Sequence, residues 1–459
     1  MKMIMSINTI VRFCKNHSCY VRGAMEFLPE KRPGNDLEGL AAQWLREEAV
    51  GQSAWWQKIA AHGTPIVEAH DEQHVKMTWL WRDPAGDERH SPICRVYADI
   101  NGITDHHSTS PSSLARLPGT DVWYGSAVID RRWRGSYSLI PITDRDLPPA
   151  FSDDETLRDR QQRAWWVSLF PLAIADPLNR LSLGPSHRPR PVSLAQGPDA
   201  DDQSAWQAVD RPLEEARLQL FQWQSERLDN QRRVWLYASG DAAMKANRPL
   251  VLLLDGQNWI EKHALLPVIE HETAQGHLPA ACWLLIDAID GEHRENELPC
   301  NAAFWQAVID ELLPQAQRRE PFSEAGARTV VAGQSYGGLA ALYAGLHWPE
   351  RFGHVLSQSG SFWWPTVQFV TQFEKRHELE EGWLIRQVRQ RNPAAPKLTV
   401  IQQAGDREAD IEFVNRQMHQ ALAAAGHRAE YRVFSGGHDA LCWRGGLVDG
   451  VRQLLSAMK

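Results

Sequence analysis

The sequence predicts a β-rich, sandwich-like domain followed by an α/β domain with a mostly parallel sheet and helices on both faces. Three observations predict this order. Short alternating runs follow one another between Ala54 and Ile140, a segment rich in proline and glycine interrupts them near residue 190, and beyond Arg232 apolar runs alternate with helical segments. Strand–helix alternation at this spacing is typical of a parallel sheet covered on both faces.

The N-terminal domain is predicted to span residues 51–185. Its first strand candidate, "HVKMTWLWRD", alternates from Val75 to Trp81 and ends in a Pro-Ala-Gly turn. The stretches "PICRVYADINGITDHH", "TDVWYGSAVI" and "WRGSYSLIPI" follow at short spacing, and the first contains an Asn101-Gly102 turn. Short strands punctuated by turns indicate a sandwich-like domain.

A linker is predicted at residues 186–212, and the α/β domain at residues 213–459. The linker lies in "GPSHRPRPVSLAQGPDADDQSA", which is rich in Pro, Ser, Asp and Gly. The later strand candidates are "RVWLYAS", "PLVLLLDG", "ACWLLIDAID", "RTVVAGQS", "HVLSQSG", "KLTVIQQAG" and "AEYRVFSGG". Because ligands bind at the carboxyl ends of such strands, the polar residues there are the candidates for a site.

The first 50 residues are predicted to be a disordered extension. The opening "MKMIMSINTIVRFCKNHSCYVRGAMEF" carries four basic residues but lacks the uninterrupted apolar core and cleavage site of a signal peptide. An over-long start, with true initiation near Met25, is the alternative. We find no stretch of about 18 apolar residues, so the sequence predicts no membrane insertion.

Composition excludes some classes of function. The net charge of −8 and pI near 6.1 argue against a nucleic-acid binder, which needs a basic face. The 20 tryptophans predict either an aromatic core or a site that grips flat rings. The six cysteines are scattered without a zinc pattern, which indicates reduced thiols, a cytoplasmic location and no protein-bound metal.

The motif "GQSYG" places Ser335 between two glycines, after the apolar run "RTVVAG" and before the helical run "GGLAALYAGLHW". A serine on such a strand-to-helix turn projects its hydroxyl above the sheet as a nucleophile. The N–H of Tyr336, at the helix N-terminus, would stabilise an oxyanion. The alternative is a glycine-rich turn without chemistry.

The serine needs a base and an acid, which in this α/β-hydrolase arrangement follow it in the order acid, then histidine. His438 follows the last strand candidate in "GGHDALCW" and is the predicted base. The acid should follow the preceding strand, where "GDRE" offers Asp406 and Glu408. Composition does not choose between these two carboxylates, and the other would be a solvated or helix-capping group.

A second oxyanion donor is predicted in the loop after an early strand. In "LLLDGQNW" the candidate is the backbone N–H of Gly256 or Gln257, although Asp255-Gly256 could also be only a turn.

With these residues placed, the chain resembles the enterochelin (ferric enterobactin) esterases of the esterase D-like branch of the α/β-hydrolases. The resemblance runs from about Ala54 to the C-terminus. It rests on "PLVLLLDGQNW", "LIDAIDGEHRENELPCN", "VVAGQSYGGLAALYAGLHWPERFGHVLSQSGSFWW" and "GGHDALCWRGG", with "WLWRDPAG", "GITDHH", "GTDVW", "WRGSYSLIP" and "IADPLN" in the N-terminal domain.

This resemblance implies a cytoplasmic enzyme that hydrolyses the triserine trilactone of iron-loaded enterobactin to dihydroxybenzoylserine. It places the nucleophile at Ser335 and the base at His438, and a Gly-x-x-Glu loop favours Glu408 over Asp406 as the acid. The reaction would need no cofactor, since iron enters as part of the ferric siderophore substrate. The alternative is a serine esterase of the feruloyl type, acting on another aryl or carbohydrate ester.

The substrate would be bound by aromatic and cationic side chains. Trp363 and Trp364 could stack on a catecholate ring, and Arg294 could pair with its negative charge. The alternatives are packing over the helix after Ser335 for the tryptophans, and a structural pair with Glu297 for the arginine.

Two other classes of function are weaker. A non-catalytic binding protein would not need Ser335 and His438 in this order. A carbohydrate-binding N-terminal domain would need exposed tryptophans. We expect instead that the N-terminal domain covers part of the pocket, because the linker is short.

Overall fold

The computed structural model describes residues 44–181, 191–206, 217–241, 245–371, 375–392 and 394–458. Residues 44–50, at the end of the predicted disordered extension, pack on the N-terminal domain, where Leu45 is buried. This part of that prediction is therefore wrong. The rest of the extension, with the alternative start at Met25, lies outside the described residues.

The N-terminal domain is built on one antiparallel sheet. Its strands are β1 (Ile66–Ala69), β2 (His74–Arg82), β3 (Ile93–Ile100), β4 (Ser113–Arg116), β5 (Val122–Asp130), β6 (Arg134–Thr143) and β7 (Ser193–Gln196). Their spatial order is β1-β2-β5-β4-β3-β6-β7. The short strand β4 pairs with both β3 and β5, so the sheet curls there and its two halves enclose a common core, as in a sandwich.

Tryptophans fill this domain because both sides of the curled sheet are covered. Trp79 and Trp123 lie in the core between the two halves. Helix α1 (Ser53–His62) packs Trp55 and Trp56 on the outside of one half, and helix α2 (Glu155–Ser168) covers the outside of the other. Most of the 20 tryptophans of the chain are buried, so the carbohydrate-binding alternative lacks its exposed rings.

The predicted linker is partly structured. Strand β7 lies within residues 186–212, and it pairs with β6 from Arg134↔Gln196 to Tyr137↔Ser193. This pairing makes β7 the edge strand of the N-terminal sheet, which corrects the linker prediction there. Residues 186–190 and 207–212 of the predicted linker lie outside the described residues.

The α/β domain contains an eight-stranded sheet in the order β15-β14-β13-β12-β10-β11-β9-β8. Its strands are β8 (Leu218–Ser225), β9 (Asn230–Ala238), β10 (Leu250–Leu253), β11 (Cys282–Ile286), β12 (Thr329–Gln334), β13 (His354–Gln358), β14 (Thr399–Gly405) and β15 (Arg428–Phe434). Strands β10 to β15 run parallel, whereas β8 and β9 are antiparallel additions at one edge. The mostly parallel sheet is confirmed, and β8 was not predicted.

Helices connect these strands and cover both faces of the sheet. They are α3 (Leu265–Ala274), α4 (Gly291–Glu297), α5 (Ala302–Ala307), α6 (Leu313–Arg319), α7 (Tyr336–His347), α8 (Gln368–Thr371), α9 (Trp383–Arg389), α10 (Ala409–Ala424) and α11 (Ala440–Ser456). A π-helical turn at Asn258–Lys262 follows β10, and another at Val308–Leu312 joins α5 to α6.

The apolar runs are continuous because each strand faces a core on both sides. In β10, Leu250 and Leu252 join the core beneath α7, whereas Val251 and Leu253 join the core beneath α11. Successive residues of a strand point to opposite faces, so a two-sided burial selects uninterrupted apolar sequence. The polar residues are thereby confined to the strand ends. Within the described part of the chain, no helix is long and apolar enough to cross a membrane.

Candidate active site

Ser335 occupies a sharp turn between β12 and α7. Its backbone has φ of 58° and ψ of −121°, a conformation that few non-glycine residues adopt. The turn brings neighbouring backbone so close that a Cβ atom at Gly333 would lie 2.4 Å from the carbonyl carbon of Gly337. A glycine is therefore required at the first flanking position, and the strained backbone aims the serine hydroxyl away from the sheet.

His438 and Glu408 form a hydrogen-bonded pair at the same edge of the sheet. His438 follows β15, and its Nδ1 lies 2.5 Å from Oε1 of Glu408, which directly precedes α10. The carboxylate is buried, whereas the imidazole side chain is 40% exposed toward the cavity. Because Nδ1 is occupied by Glu408, Nε2 is the imidazole nitrogen available to a serine hydroxyl.

Asp406, the alternative acid, has a different partner. Its Oδ1 accepts a hydrogen bond of 3.1 Å from the backbone N–H of Gly436, and burial raises the pKa of this carboxyl group. The carboxylate thus ties the loop after β14 to the loop after β15. The imidazole of His438 is thus paired with Glu408, whereas Asp406 stabilises the conformation of the neighbouring loop.

Glu408 is oriented directly by the side chain of Ser359 and, through Ser359, by that of Trp443, neither of which the sequence singled out. Its Oε2 accepts hydrogen bonds of 2.7 Å from the hydroxyl of Ser359 and of 2.7 Å from the N–H of Gly405. Ser359 in turn accepts a 2.9 Å hydrogen bond from the indole N–H of Trp443, whose ring meets His438 edge-on at a centroid distance of 4.7 Å. Since Ser359 directly follows β13, the rule that polar residues at strand ends are candidates would have found it.

A ladder of buried amides lies beneath the site. Gln334, Gln358 and Gln403 occupy paired positions on three neighbouring strands. Each side-chain amide donates to the next, at 2.9 Å and 2.7 Å, and the first accepts from the indole N–H of Trp259 at 3.0 Å. Gln358 also donates to the carbonyl oxygen of Trp443 at 2.9 Å. The ladder satisfies these buried polar groups and ties α11 to the sheet.

The predicted oxyanion donors lie at two adjacent turns. Tyr336 is the first residue of α7, so its N–H is one of the unsatisfied donors at a helix start. Gly256 and Gln257 directly follow Asp255, where the chain turns after β10 with φ of 56° at Asp255. The side chain of Gln257 accepts from the N–H of Ala288 at 3.1 Å, which holds this turn against the loop after β11.

Ser335 and His438 line one cavity of about 380 Å³. Its walls also include the indoles of Trp259 and Trp443 and the cationic side chains of Lys262 and Arg294. The nitrogen Nζ of Lys262 lies 2.5 Å from Oδ1 of Asn258, which also lines the cavity. Lys262 was not predicted, since it lies one helical turn beyond the "DGQNW" motif.

Arg294 lines the cavity but is paired with a partner other than the expected Glu297. Its guanidinium binds both carboxylate oxygens of Asp255, at 2.7 and 2.8 Å. Burial opposes its charge, but the carboxylate outweighs this effect and raises the pKa of Arg294. Glu297 instead pairs with Arg232. The alternative of a structural pair with Glu297 is therefore wrong, and Arg294 is a fixed cation at the cavity wall.

Trp363 and Trp364 lie where the packing alternative would place them. Both are half-buried against the core beneath α7. The Trp363 ring lies 5.6 Å from that of Tyr336, and the Trp364 ring lies 6.3 Å from that of Trp383. The indoles at the cavity wall are Trp259 and Trp443, which reach it from π-helical and helical turns that the sequence pattern did not resolve.

The N-terminal domain contributes to the cavity. Ser136 of β6 and Val192, next to β7, stand among the residues that line it together with Ser335 and His438. This agrees with the prediction that the N-terminal domain covers part of the pocket. Among the described residues, no group of three or more His, Cys, Asp or Glu side chains is arranged to hold a metal ion.

Comparison with known families assigns both domains. A model of the N-terminal domain of enterochelin esterases matches residues 76–206, and the Esterase family model matches residues 225–454.

Curated relatives match over most of their length. An iron(III) enterobactin esterase of Dickeya dadantii is 61% identical over 92% of this chain and 98% of its own. The iron(III) enterobactin esterase of Escherichia coli strain K12 is 44% identical over 88% and 96%, respectively.

Solved structures agree with these matches. A ferric enterobactin esterase from Salmonella typhimurium superposes with a TM-score of 0.77 at 45% identity, covering 88% of this chain and 99% of that chain. An enterobactin esterase from Shigella flexneri, solved in the presence of enterobactin, superposes with a TM-score of 0.74 at 41% identity, covering 89% and 100%.

Proposed function

The chain belongs to the family of iron(III) enterobactin esterases, and on that premise we propose that it hydrolyses the ester bonds of the iron(III) enterobactin trilactone to dihydroxybenzoylserine units. The observation that carries this proposal is the cavity lined by both Ser335, on its strained turn, and His438, whose Nδ1 is paired with Glu408. Hydrolysis of the trilactone would allow the iron to be released.

The reaction proceeds through an acyl-enzyme. Ser335 Oγ attacks the ester carbonyl carbon while Nε2 of His438 accepts its proton, and Glu408 stabilises the resulting imidazolium. The N–H of Tyr336 and that of Gly256 or Gln257 stabilise the negative charge on the carbonyl oxygen. As the intermediate collapses and the ester C–O bond breaks, the imidazolium protonates the departing serine oxygen of the substrate, which leaves as a hydroxyl group. Water attacks the acyl-enzyme by the same route and frees Ser335.

The cavity suits a substrate with anionic aromatic rings. Lys262 and Arg294 are cationic, and Asp255 offsets one of these two charges, so the wall near Ser335 keeps a positive excess. The half-buried indole of Trp443 offers flat apolar surface to a catecholate ring, whereas Trp259 is 2% exposed and only borders the cavity. We assign ring contact to Trp443 in place of Trp363 and Trp364.

The chemistry needs no resident cofactor, because a serine–histidine–carboxylate triad cleaves an ester by itself. Iron enters with the substrate. Turnover of iron-free enterobactin by chelator-dialysed protein tests this point, and complete loss of that turnover would contradict it.

The proposed place of action is the cytoplasm. The free thiols of Cys94, Cys282, Cys300 and Cys442 suit a reducing compartment.

Product chromatography after incubation with ferric enterobactin tests the proposed function. We expect the unaltered protein to release dihydroxybenzoylserine, and Ser335→Ala to be slower by at least about 10⁴-fold. Ser361→Ala is the matched control, because its hydroxyl lies 3.3 Å from that of Ser335 but has no assigned role in the reaction. If the protein cleaved a simple aryl ester but left the trilactone intact, the substrate assignment would be wrong.

A further inference from the structure

One turn of the N-terminal domain contacts both loops that carry the catalytic pair. The Nδ2 of Asn101, in the turn after β3, donates to the carbonyl oxygen of His438 at 3.2 Å. At Gly102, with φ of 71°, a Cβ atom would lie 2.7 Å from Cβ of Arg407 and 3.2 Å from Cα of Gly437. Since Arg407 precedes Glu408 and Gly437 precedes His438, this turn lies against the acid and the base at once.

Strand β6 of the same domain holds the other side of the histidine loop. The backbone N–H of Ser136 donates to Oδ2 of Asp439 at 2.6 Å, and that of Arg134 donates to the carbonyl oxygen of Ser435 at 3.1 Å. The thiol of Cys442 donates to the carbonyl oxygen of Arg134 at 3.0 Å. Contacts with the N-terminal domain thus run along the loop before and after the imidazole.

The histidine loop depends on such support because of its sequence. Gly436 and Gly437 directly precede His438, and glycines leave a backbone with more conformational freedom than any other residue. Within the α/β domain, the N–H of Gly436 donates to Oδ1 of Asp406, and the carbonyl oxygen of Gly436 accepts from the N–H of Arg407. Beyond Gly436, the Asn101–Gly102 turn contacts Gly437 and donates to the His438 carbonyl, while Cys442 of the α/β domain also interacts with the backbone of Gly437.

We propose that the Asn101–Gly102 turn positions the His438–Glu408 pair, so that the N-terminal domain is required for ester cleavage itself, even when the ester is too small to need the domain for binding. The proposal rests on the catalytic roles given above. Neither Asn101 nor Gly102 is among the residues lining the cavity, so the turn acts through the two loops and not through substrate contact.

Gly102→Ala in the full chain tests this, with Gly119→Ala as the matched control. Gly119 lies in the same domain with φ of 74°, yet nothing lies within 4 Å of a Cβ atom there. Both variants therefore place an alanine at a positive φ. Only the methyl group of Gly102→Ala would clash with Arg407 and Gly437 in the loops that carry Glu408 and His438. Steady-state kinetics on p-nitrophenyl butyrate and on ferric enterobactin are the measurements.

We expect Gly102→Ala to lower kcat on both esters by a similar factor of about 10 to 100, with KM for the small ester within about twofold, because a displaced base loses its alignment with the nucleophile. Gly119→Ala should keep kcat within about twofold of the unaltered protein. Asn101→Ala removes one hydrogen bond without adding volume, and should lower kcat on both esters by about 3- to 10-fold.

Equal kcat values for Gly102→Ala and Gly119→Ala on the small ester would overturn the proposal. So would a defect confined to KM for ferric enterobactin, which would make the turn part of a substrate wall. If Gly102→Ala lowered Tm far more than Gly119→Ala did, its loss of kcat could come from unfolding. The kcat of Asn101→Ala would then be the deciding measurement, and an unchanged value would refute the positioning role. The small-ester readout stands even if the trilactone proves not to be the substrate.

Discussion

Replacing Glu408 by Gln should abolish catalysis by forcing the wrong tautomer of His438. Oε2 of Glu408 accepts from two donors, the Ser359 hydroxyl and the Gly405 N–H. In the variant the amide oxygen must take this position, because the amide nitrogen would face the N–H of Gly405. The amide nitrogen then points at Nδ1 of His438 and donates to it, so the ring proton moves to Nε2.

An imidazole protonated at Nε2 cannot accept the proton of Ser335. The corresponding amide substitution in a serine protease triad lowers kcat by about 10⁴-fold, which is about 5 kcal/mol in activation free energy. We expect a loss of similar size here, because the carboxylate of Glu408 is buried and its two other hydrogen bonds fix its orientation.

The assay is kcat on p-nitrophenyl butyrate, followed by absorbance, with circular dichroism to verify folding. Asp406→Asn is the matched control, since it makes the same chemical change two residues away and keeps an oxygen for the N–H of Gly436. It should retain kcat within about threefold. The reasoning is refuted if Glu408→Gln retains more than a tenth of the activity, or if Asp406→Asn loses as much as Glu408→Gln.

Three further predictions concern other side chains. Trp443→Phe keeps a ring beside His438 but removes the N–H that donates to Ser359, so kcat should fall by about 3- to 10-fold, and an unchanged kcat would contradict this. Lys262→Met should raise KM for ferric enterobactin and weaken its salt dependence while leaving KM for a neutral aryl ester unchanged; equal effects on both esters would exclude a charge contact. Burial lowers the pKa of His427 to about 4, and its Nδ1 accepts the N–H of Leu398, so the folded state holds the neutral ring. The unfolded chain binds this proton below about pH 6.5, so stability should fall from pH 6.5 toward 4, by at most about 3 kcal/mol and by less where solvent screens the ring. His427→Gln should flatten the fall of Tm with pH over this range, and parallel Tm curves would argue against it.

The catalytic elements that local sequence specifies were predictable. The strand-to-helix turn at Ser335 needs glycine at a neighbouring position, so five consecutive residues are enough to predict its geometry. The position of His438 follows from topology, because parallel strands bring the loops at their carboxyl ends to one edge of the sheet. The apolar runs of β10 to β14 likewise follow from burial on both faces.

The tertiary structure was needed to decide which of two chemically similar residues, close together in the sequence, faces the site. Asp406 and Glu408 are two residues apart, and only the loop conformation after β14 directs one carboxylate to His438 and the other to Gly436. The same holds for the aromatic wall, where Trp259 and Trp443 reach the cavity and Trp363 and Trp364 pack against the core. Composition does not encode which way a ring points.

By itself, the sequence predicted a serine esterase with its nucleophile at Ser335, because that motif and its strand-to-helix context are local. Asn101 and Gly102 are separated along the chain by more than 300 residues from the loops of Glu408 and His438 that they contact. No periodicity or motif connects segments so far apart, since their approach depends on how the two domains pack. The tertiary structure alone decided which residues of the N-terminal domain contact the loops that carry His438 and Glu408.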